Sequence, residues 1–422
     1  MNNNKVFDKY LLVYDKLKTI FDSIYNEFEV RNDVNPIEHI KYRIKKIDSI
    51  KYKLKKKNLL FTEENIDNEL NDVVGIRIVC SFLSDVKTII DIVKKLSDNS
   101  VLEIIRIKDY ITNPKEDSGY SSYHILVKVP ISYHGEIKYV NAEIQIRTAA
   151  MDMSFSLEHK LCYKKENYSN NLKRLIREAT SFCKKIDIDL NNVVDMVEDC
   201  KSDGKEITYP FMNSEEYELI KLEYSNALKF VEMKLNNLYN FYDKSDRVNP
   251  IEHIKYRLKG EMQIIRKLIS KDLVVNVNNI RSYVKDIAGT RIVCSFLSDL
   301  EELKDVIRND PDFVILEEKD YVKFPKESGY RGYHFLVKVP VYTLDGVSFV
   351  MVEIQIRTAA MEMWANLEEK ICYHKNSSIS LKDDLKRIAN VISIFDEQID
   401  SIRDASNNKQ KRKKYVRELE VK

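Results

Sequence analysis

Glycine is scarce in this chain, with nine among 422 residues, and no G-x-x-x-x-G-K-[ST] sequence occurs. That motif provides the backbone N–H groups that hold phosphates in P-loop enzymes, so a P-loop enzyme is not expected. Four of the glycines form equivalent pairs in a repeated sequence, Gly75/Gly289 and Gly119/Gly329. Where glycine is this rare, its retention indicates close backbone approach or a positive φ angle.

Closely spaced cysteines are also absent, which argues against a zinc site or a redox pair. The apolar neighbours of Cys80 and Cys294 predict buried thiols in reducing conditions. The six cysteines are Cys80, Cys162, Cys183, Cys200, Cys294 and Cys372.

An excess of either charge is missing, since 69 Lys+Arg face 67 Asp+Glu for a net charge of +2. This argues against nucleic-acid binding by bulk charge, and leaves local basic clusters near Lys51–Lys57 and Lys409–Lys414. No signal peptide opens the sequence, and no apolar run is long enough to span a membrane. These absences predict a soluble cytoplasmic protein without a membrane partner.

The most informative feature is a long internal repeat. Val34–Arg43 recurs without change as Val248–Arg257, and Asp72–Asp85 recurs as Asp286–Asp299 with three substitutions. Ser118–His124 recurs as Ser328–His334 with small changes. A period of this length predicts tandem domains over residues 1–200 and 212–422, joined by a linker at 201–211.

Local patterns assign the same elements to both copies. Helices are predicted over 8–28 and 217–242, and a short strand at 43–47 precedes a basic helix at 48–57 with Asp48 as its N-cap. A strand at 76–82 precedes a helix at 86–96. Strands at 124–129 and 139–147 flank a turn at Gly135, and helices are predicted over 148–163, 172–197 and 381–402. The basic tail from Asn407 is expected to be solvated.

Glu143–Met151 recurs unchanged as Glu353–Met361. As a strand, it places Glu143, Gln145 and Arg147 on one face, where they can hold a metal, a polar ligand edge and a phosphate. Taken alone, the stretch is more typical of a strand with one solvated face. The other repeated motifs shift the interpretation toward a site.

Acidic residues predict where a metal would bind. Asp72 opens the strand of Gly75 and Arg77, and if that strand neighbours the strand of Glu143, the two carboxylates can share one Mg²⁺. Alone, Asp72 would be interpreted as a strand-start or capping residue. Asp286 and Glu353 repeat the pair.

Basic residues predict a triphosphate site without a glycine-rich loop. Arg43 and Lys45 share one strand face, whereas Lys51, Lys55 and Lys57 are expected to be solvated. The other members of the group are Ser49, Lys53, Lys56, Arg77 and Lys108.

The aromatic residues leave alternatives open. Tyr120 is expected to be exposed and to stack on a purine, or else to pack on the sheet edge. His124 is interpreted equally well as a phosphate contact or a core histidine. His39 and His253 are assigned to helix surfaces.

Together these motifs resemble the synthetase domain of the RelA/SpoT family, above all its single-domain members, the small alarmone synthetases. Each copy has about the length of one such domain. The resemblance rests on Arg43-x-Lys45-x-x-x-Ser49, Asp72-Val-Val-Gly75-Ile-Arg77, Asp109-Tyr110, Lys115 through His124, Glu143 through Thr148, and their counterparts in the second copy.

The resemblance implies an α/β (α+β) fold of nucleotidyltransferase type, with a mixed five-stranded sheet flanked by helices in each copy. It implies transfer of pyrophosphate from ATP to the 3′-hydroxyl of GDP or GTP, giving ppGpp or pppGpp and AMP, with Mg²⁺. No His-Asp hydrolase motif is present, so the resemblance implies synthesis without dedicated hydrolysis.

The resemblance also implies roles for individual residues. Asp72, Glu143, Asp286 and Glu353 would be catalytic and would hold the metal. ATP would be bound by Arg43, Lys45, Ser49, Lys53, Arg77, Lys108, Arg257, Lys259, Lys267, Arg291 and Lys319. The acceptor nucleotide would be bound by Lys115, Tyr120, His124, Gln145, Lys326, Tyr330, His334 and Gln355.

Several positions depart from the family pattern. Ser154 stands where the second copy keeps Trp364, and Asp152 and Glu362 replace an asparagine, where added negative charge is expected to repel a nucleotide phosphate. The remaining departures are an inserted Asp117, Ser121 in place of arginine, Gln263 in place of Ser49, Ser270 in place of Lys56, and Glu369 in place of His159.

Two other functions remain open at this point. One is the same transfer to an adenine nucleotide or a tRNA 3′ end, since stacking does not distinguish purines. The other is a non-catalytic nucleotide sensor or scaffold that self-associates through the helices after Arg147 and Arg357.

Overall fold

The computed structural model describes residues 3–30, 35–114, 120–162, 170–198, 214–245, 248–343, 346–373, 383 and 385–403. Several features of the sequence lie outside these residues: Lys115, Gly119, the predicted linker at 201–211 and the basic tail from Asn407. In the described part, no helix is both long and apolar enough to cross a lipid bilayer.

The chain forms two compact units, one of Met1–Glu158 with Asn167–Met196 and one of His159–Glu166 with Val197–Lys422. The elements up to Glu198, in chain order, are α1 Asn3–Val30, β1 Ile37–Ile44, α2 Ile47–Lys56, α3 Glu63–Glu69, β2 Val74–Cys80, α4 Leu83–Asp98, β3 Glu103–Asp109, β4 Tyr123–Tyr133, β5 Glu136–Thr148, α5 Ala149–Cys162 and α6 Asn170–Glu198.

The second unit repeats this order. Its elements are α7 Glu215–Lys244, β6 Ile251–Leu258, α8 Glu261–Ile269, α9 Val277–Tyr283, β7 Ala288–Cys294, α10 Leu297–Arg308, β8 Val314–Asp320, β9 Tyr333–Thr343, β10 Gly346–Thr358 and α11 Ala359–Tyr373. A final helical stretch, α12, covers residues 385–403.

Each unit contains one mixed sheet of five strands, in the order β1-β2-β5-β4-β3 and β6-β7-β10-β9-β8. β2 pairs with β5, and β7 with β10, in parallel; the other neighbours are antiparallel. Parallel strands in the middle of a sheet are buried on both faces. Accordingly β2 is buried at six of its seven residues. The predicted fold class is confirmed.

Helix α1 covers one face of the first sheet with an apolar stripe at helical spacing. The stripe consists of Tyr10, Val13, Leu17 and Phe21, all at most 2% exposed, and it belongs to the same core as Ile76, Ile125 and Ile144. Truncating such a leucine to alanine costs about 2–5 kcal/mol, so this core fixes the strand register on which the site depends. The buried thiols predicted for Cys80 and Cys294 are confirmed.

Several local predictions are wrong. His39 and His253 lie on β1 and β6 rather than on helices, because the edge strand begins at Ile37, before the predicted position 43. Asp48 lies inside α2, whose N-cap is Lys46 without a side-chain cap. The patterns also gave no signal for α3, or for β3, which is mostly exposed at the sheet edge.

Candidate active site

A row of polar side chains crosses each sheet, with one residue from each strand. Strand pairing aligns Lys41 with Arg77, Arg77 with Gln145, Gln145 with His124, and His124 with Lys108. The second unit has the same row, formed by Lys255, Arg291, Gln355, His334 and Lys319. Long-range pairing therefore brings predicted ATP-binding and acceptor-binding residues onto one surface. Lys41 and Lys255 were not predicted, although their spacing from Arg43 and Arg257 provided the signal.

A glycine leaves space beside this row. Gly75 pairs with Arg43 on one side and Glu143 on the other. A Cβ atom at Gly75 would lie 3.1 Å from Nε of Arg43, so the missing side chain lets Arg43 fold across β2. Gly289 has no such contact, and Nη1 of Arg257 lies 3.6 Å from Oε1 of Glu369.

Asp72 lies two residues before β2 and accepts hydrogen bonds from two lysines. Nζ of Lys45 is 2.5 Å from Oδ2, and Nζ of Lys53 is 2.9 Å from Oδ1. Burial alone would raise the pKa of Asp72, but the two ammonium groups hold it below its usual value. Burial also lowers the pKa of Lys45 against the effect of Asp72, with added repulsion from Lys53 and Arg43.

The same arrangement recurs at Asp286. Nζ of Lys259 and Nζ of Lys267 lie 2.6 Å and 2.7 Å from its oxygens. These contacts outweigh burial and lower the pKa of Asp286 to about 2. Both aspartates are therefore ionised at neutral pH, and each concentrates positive charge around it.

Glu143 is held by its neighbours on the polar row. His124 Nδ1 lies 3.0 Å from its Oε1, and Nε2 of Gln145 donates to Oε2 at 2.7 Å. Burial opposes ionisation, yet these two contacts lower the pKa of Glu143, while the charge of Asp72 acts to raise it. Asp72 is therefore close enough to Glu143 for their charges to interact.

Glu353 has the corresponding contacts. His334 Nδ1 lies 3.2 Å from its Oε1, Nε2 of Gln355 donates at 2.8 Å, and the charge of Asp286 acts on it. Burial lowers the pKa of His334, which Glu353 opposes. Each unit thus has one ionised carboxylate just before a central strand and a second on the parallel strand beside it, with hard oxygen atoms suited to a divalent cation.

The predicted base-stacking tyrosines have polar partners. The Tyr120 hydroxyl lies 2.8 Å from Nε2 of His124 and accepts from Nη2 of Arg147 at 2.5 Å. Tyr330 makes equivalent contacts with His334 and Arg357 and is only 6% exposed. Tyr120 is half-buried and its counterpart Tyr330 is buried, because each hydroxyl joins a hydrogen-bond network. Base stacking stays a prediction.

The other predicted residues occupy more open positions. Ser49 and Lys108 are exposed on α2 and β3. Lys319 lies on β8 with Nζ 3.2 Å from Oε1 of Glu317, and Nζ of Lys326 lies 4.7 Å from the Tyr330 ring centroid.

The acids that replace the family's asparagine are buried and paired with cations, and their effect on a nucleotide phosphate stays a prediction. Asp152 and Glu362 lie in the first turns of α5 and α11, are 5% and 4% exposed, and accept from nearby cations. Arg147 and Arg357 also contact these acids; Arg147 was predicted to be able to hold a phosphate, but neither arginine was assigned to ATP or to the acceptor. The negative charge of Asp152 and Glu362 is therefore balanced by the cationic side chains that contact them.

The aromatic side chain next to the tyrosine differs between the units. In the first, Phe155 packs edge-on against Tyr120 with ring centroids 6.1 Å apart and lies against Arg77 and Arg147. In the second, Trp364 lies 6.3 Å from Tyr330 and donates from Nε1 to the Leu385 carbonyl at 3.0 Å. Phe155 thus provides an aromatic contact to Tyr120 from the position after Ser154. Comparison with the family pattern considered only position 154 and missed this contact.

Replacing Gly329 by alanine is expected to destabilise the second unit. Gly329 has φ +92°, and a Cβ there would lie 2.6 Å from the Ala389 Cβ on α12. Left-handed strain and overpacking together are expected to cost about 2–4 kcal/mol. Gly346→Ala is the control, since φ is +124° but no atom lies within 4 Å. Equal shifts in Tm for the two variants would contradict the packing of this loop on α12.

A sequence profile described as "Region found in RelA / SpoT proteins" matches residues 42–168 and 256–378, more than half of the chain. The chain belongs to the RelA/SpoT family. Both RelA/SpoT segments contain the carboxylate pair and the polar row apart from Lys41 and Lys255, each of which lies one residue before its segment.

Two RelA/SpoT relatives come from Bacillus subtilis (strain 168). GTP pyrophosphokinase YwaC is 38% identical over 180 residues, which cover 42% of this chain and 86% of the relative. GTP pyrophosphokinase YjbM is 34% identical over 194 residues, which cover 46% of this chain and 90% of the relative. Small alarmone synthetase 1 from Bacillus subtilis, solved with its product pppGpp, is 34% identical and covers 46% of this chain and 98% of its own, with a TM-score of 0.43.

Proposed function

We propose that each half transfers the pyrophosphate group of ATP to the 3′-hydroxyl of GDP or GTP, giving ppGpp or pppGpp and AMP. The observation that carries this proposal is a pair of ionised carboxylates, one just before β2 or β7 and one on the parallel neighbour β5 or β10, beside a row of cationic and amide side chains in each half. The names of the relatives YwaC and YjbM support the same reaction.

The donor nucleotide is proposed to lie against the cationic side of the row. Lys45 and Lys53 surround Asp72, and Arg43 crosses the sheet at Gly75, so a triphosphate here meets several N–H donors. The proposed donor residues are Arg43, Lys45, Ser49, Lys53, Arg77 and Lys108, and in the second half Arg257, Lys259, Lys267, Arg291 and Lys319.

The acceptor is proposed to lie on the other side of Glu143. Gln145 presents an amide beside this carboxylate, and the Tyr120 ring contacts both Arg147 and Phe155. The proposed acceptor residues are Lys115, Tyr120, His124 and Gln145, and in the second half Lys326, Tyr330, His334 and Gln355.

Glu143 and Glu353 are proposed to receive the proton of the acceptor hydroxyl. As the 3′-oxygen forms its bond to the β-phosphorus of ATP, the bond from that phosphorus to the α,β-bridging oxygen breaks, and AMP leaves with this oxygen. The neighbouring histidine and glutamine favour the ionised glutamate, which is the form able to accept the proton.

Asp72 with Glu143, and Asp286 with Glu353, would hold Mg²⁺. A bound divalent cation neutralises phosphate charge during transfer. Two carboxylates suit a magnesium site that takes its other ligands from water and substrate phosphates.

The proposal extends to the organisation of the protein. Residues 1–200 and 212–422 would each form a catalytic domain, with 201–211 as the linker, and the protein would work in the cytoplasm, where its nucleotides are present. Self-association through the helices after Arg147 and Arg357 also remains a proposal.

Thin-layer separation of products from γ-labelled ATP tests the reaction. The full chain would be incubated with Mg²⁺ and, in separate reactions, GDP, GTP, AMP or tRNA. With GDP or GTP we expect labelled guanosine products and an amount of AMP equal to the product formed. With a 3′-deoxy guanine nucleotide we expect neither labelled product nor AMP. Transfer only to AMP or to tRNA would replace the acceptor assignment, and nucleotide binding without transfer would indicate a sensor or scaffold.

A further inference from the structure

The carboxylate in the first turn of α5 or α11 contacts cations from three different strands. In the first half, Asp152 accepts from Nζ of Lys41 on β1 at 3.3 Å, Nη1 of Arg77 on β2 at 3.0 Å and Nη1 of Arg147 on β5 at 3.4 Å. Its side chain is only 6% exposed, so these contacts are poorly screened by water.

Glu362 makes the same contacts in the second half. It accepts from Nζ of Lys255 at 3.2 Å, Nη1 of Arg291 at 2.7 Å and Nη1 of Arg357 at 2.8 Å. Burial disfavours its charge, but the three cations keep the pKa of Glu362 well below its usual value. In each half, one buried carboxylate thus accepts hydrogen bonds from three cationic side chains.

The two arginines bound to each acid belong to different sides of the site. Arg77 is a proposed donor residue, whereas Arg147 donates from Nη2 to the Tyr120 hydroxyl at 2.5 Å and to Oε1 of Gln145 at 3.0 Å. Tyr120 and Gln145 are proposed acceptor residues. A connected path of charged hydrogen bonds therefore runs from the donor side to the acceptor side through Asp152.

We infer that Asp152 and Glu362 are positioning residues that couple the two nucleotide subsites. This inference rests on the proposed function for the assignment of the subsites. With the acid in place, two like-charged guanidinium groups are held side by side, and a nucleotide that orders one of them also orders the other. Without it, the arginines repel each other and move independently.

The contacts differ between the halves in a way that predicts unequal coupling. In the second half, Nε of Arg291 and Nη2 of Arg357 both donate to Oε1 of Gln355, at 3.2 Å and 2.8 Å. In the first half, Nε of Arg77 is buried without an acceptor among the described residues. The second half therefore has the additional link, and stronger coupling is expected there.

Calorimetric titration of the full chain tests the coupling without requiring turnover. The Kd for GDP would be measured with and without saturating AMPCPP, an ATP analogue with a methylene in place of the α,β-bridging oxygen. In the parent chain we expect AMPCPP to tighten GDP binding by at least about fivefold. In Asp152→Asn combined with Glu362→Gln, the ratio should fall to within about twofold of one.

Two further variants separate coupling from loss of structure. Asp91→Asn with Glu301→Gln removes two exposed acids with side-chain exposures of 65% and 58%, and should keep the parent ratio. Exchanging the acids, as Asp152→Glu with Glu362→Asp, retains both charges and should also retain coupling. A parent-like ratio in the neutral variant would overturn the inference, as would weaker binding of both nucleotides with an unchanged ratio.

Turnover then distinguishes this inference from the proposed reaction. If GDP and AMPCPP bind and are coupled but no pyrophosphate is transferred, the proposed reaction fails and the coupling stands. If the parent chain shows no coupling but forms labelled guanosine products, the reaction stands and the role of Asp152 and Glu362 is wrong.

Discussion

Replacing Asp72 and Asp286 together by asparagine is expected to lower AMP release by at least about a thousandfold, which corresponds to about 4 kcal/mol in the barrier. Each aspartate is the partner of two lysines and a proposed metal ligand, and the amide retains its size but loses its charge. Steady-state AMP release with GDP as acceptor is the measurement.

The single variants show how activity is shared between the halves. Asp72→Asn should leave only the turnover of the second half, and Asp286→Asn only that of the first. Asp91→Asn with Glu301→Gln removes the same charge at exposed positions and should leave AMP release unchanged. Unchanged activity in the double variant at Asp72 and Asp286 would refute the assignment of these residues to the metal.

Replacing Asp187 or Asp396 by asparagine is expected to stabilise the corresponding half at high pH. Asp187 on α6 accepts from Oγ1 of Thr148, and Asp396 on α12 from Oγ1 of Thr358, both at 2.6 Å. Burial raises the pKa of each carboxyl to about 7. An amide keeps an oxygen to accept the threonine hydrogen bond but carries no charge.

The direction of the pH dependence follows from proton binding. Between about pH 4 and 7 the folded carboxyl keeps a proton that the unfolded chain releases, so the stability of the folded state falls as pH rises through this range. A pKa moved from 3.8 to about 7 corresponds to about 4 kcal/mol, which is fully lost above pH 7.

Thermal unfolding at pH 5 and pH 8 measures this effect. At pH 8 the asparagine variant should unfold roughly 10 °C higher than the parent, with a smaller difference at pH 5. Asp91→Asn, at an exposed ion pair, should show no such pH-dependent gain. An equal change in Tm at both pH values would mean that Asp187 and Asp396 do not titrate as their burial indicates.

Repetition made much of the fold accessible from sequence. The helices at α1 and α7, the central strands and the hairpin at Gly135 follow from apolar periodicity and one turn residue, and the structure confirms them. β1 was placed too late, because Ile37 and Ile40 are spaced as on a helix while their pairing with β2 makes them a strand. Local pattern alone does not contain that pairing.

The candidate site also combines features that local sequence indicates with contacts that only the folded chain brings together. The carboxylate pair and the cationic residues were proposed from strand and helical spacing, from the internal repeat and from the resemblance to the family, all of which the sequence itself contains. The contact between Lys41 and Asp152 joins residues 111 positions apart, and neither Phe155 nor Arg147 could be placed beside Tyr120 before the sheet and α5 were assembled. Networks of buried charge therefore remained beyond sequence reasoning.

The aromatic residue beside the tyrosine is Trp364 in the second half and Phe155 in the first, where it lies one position later in the repeat. The two helices therefore cannot be exchanged one residue at a time. Changing Ser154 to tryptophan alone would crowd two large rings beside one tyrosine, whereas changing Phe155 to alanine alone would leave that tyrosine without its neighbour. Reproducing the aromatic contact of one half in the other therefore requires changes at both positions.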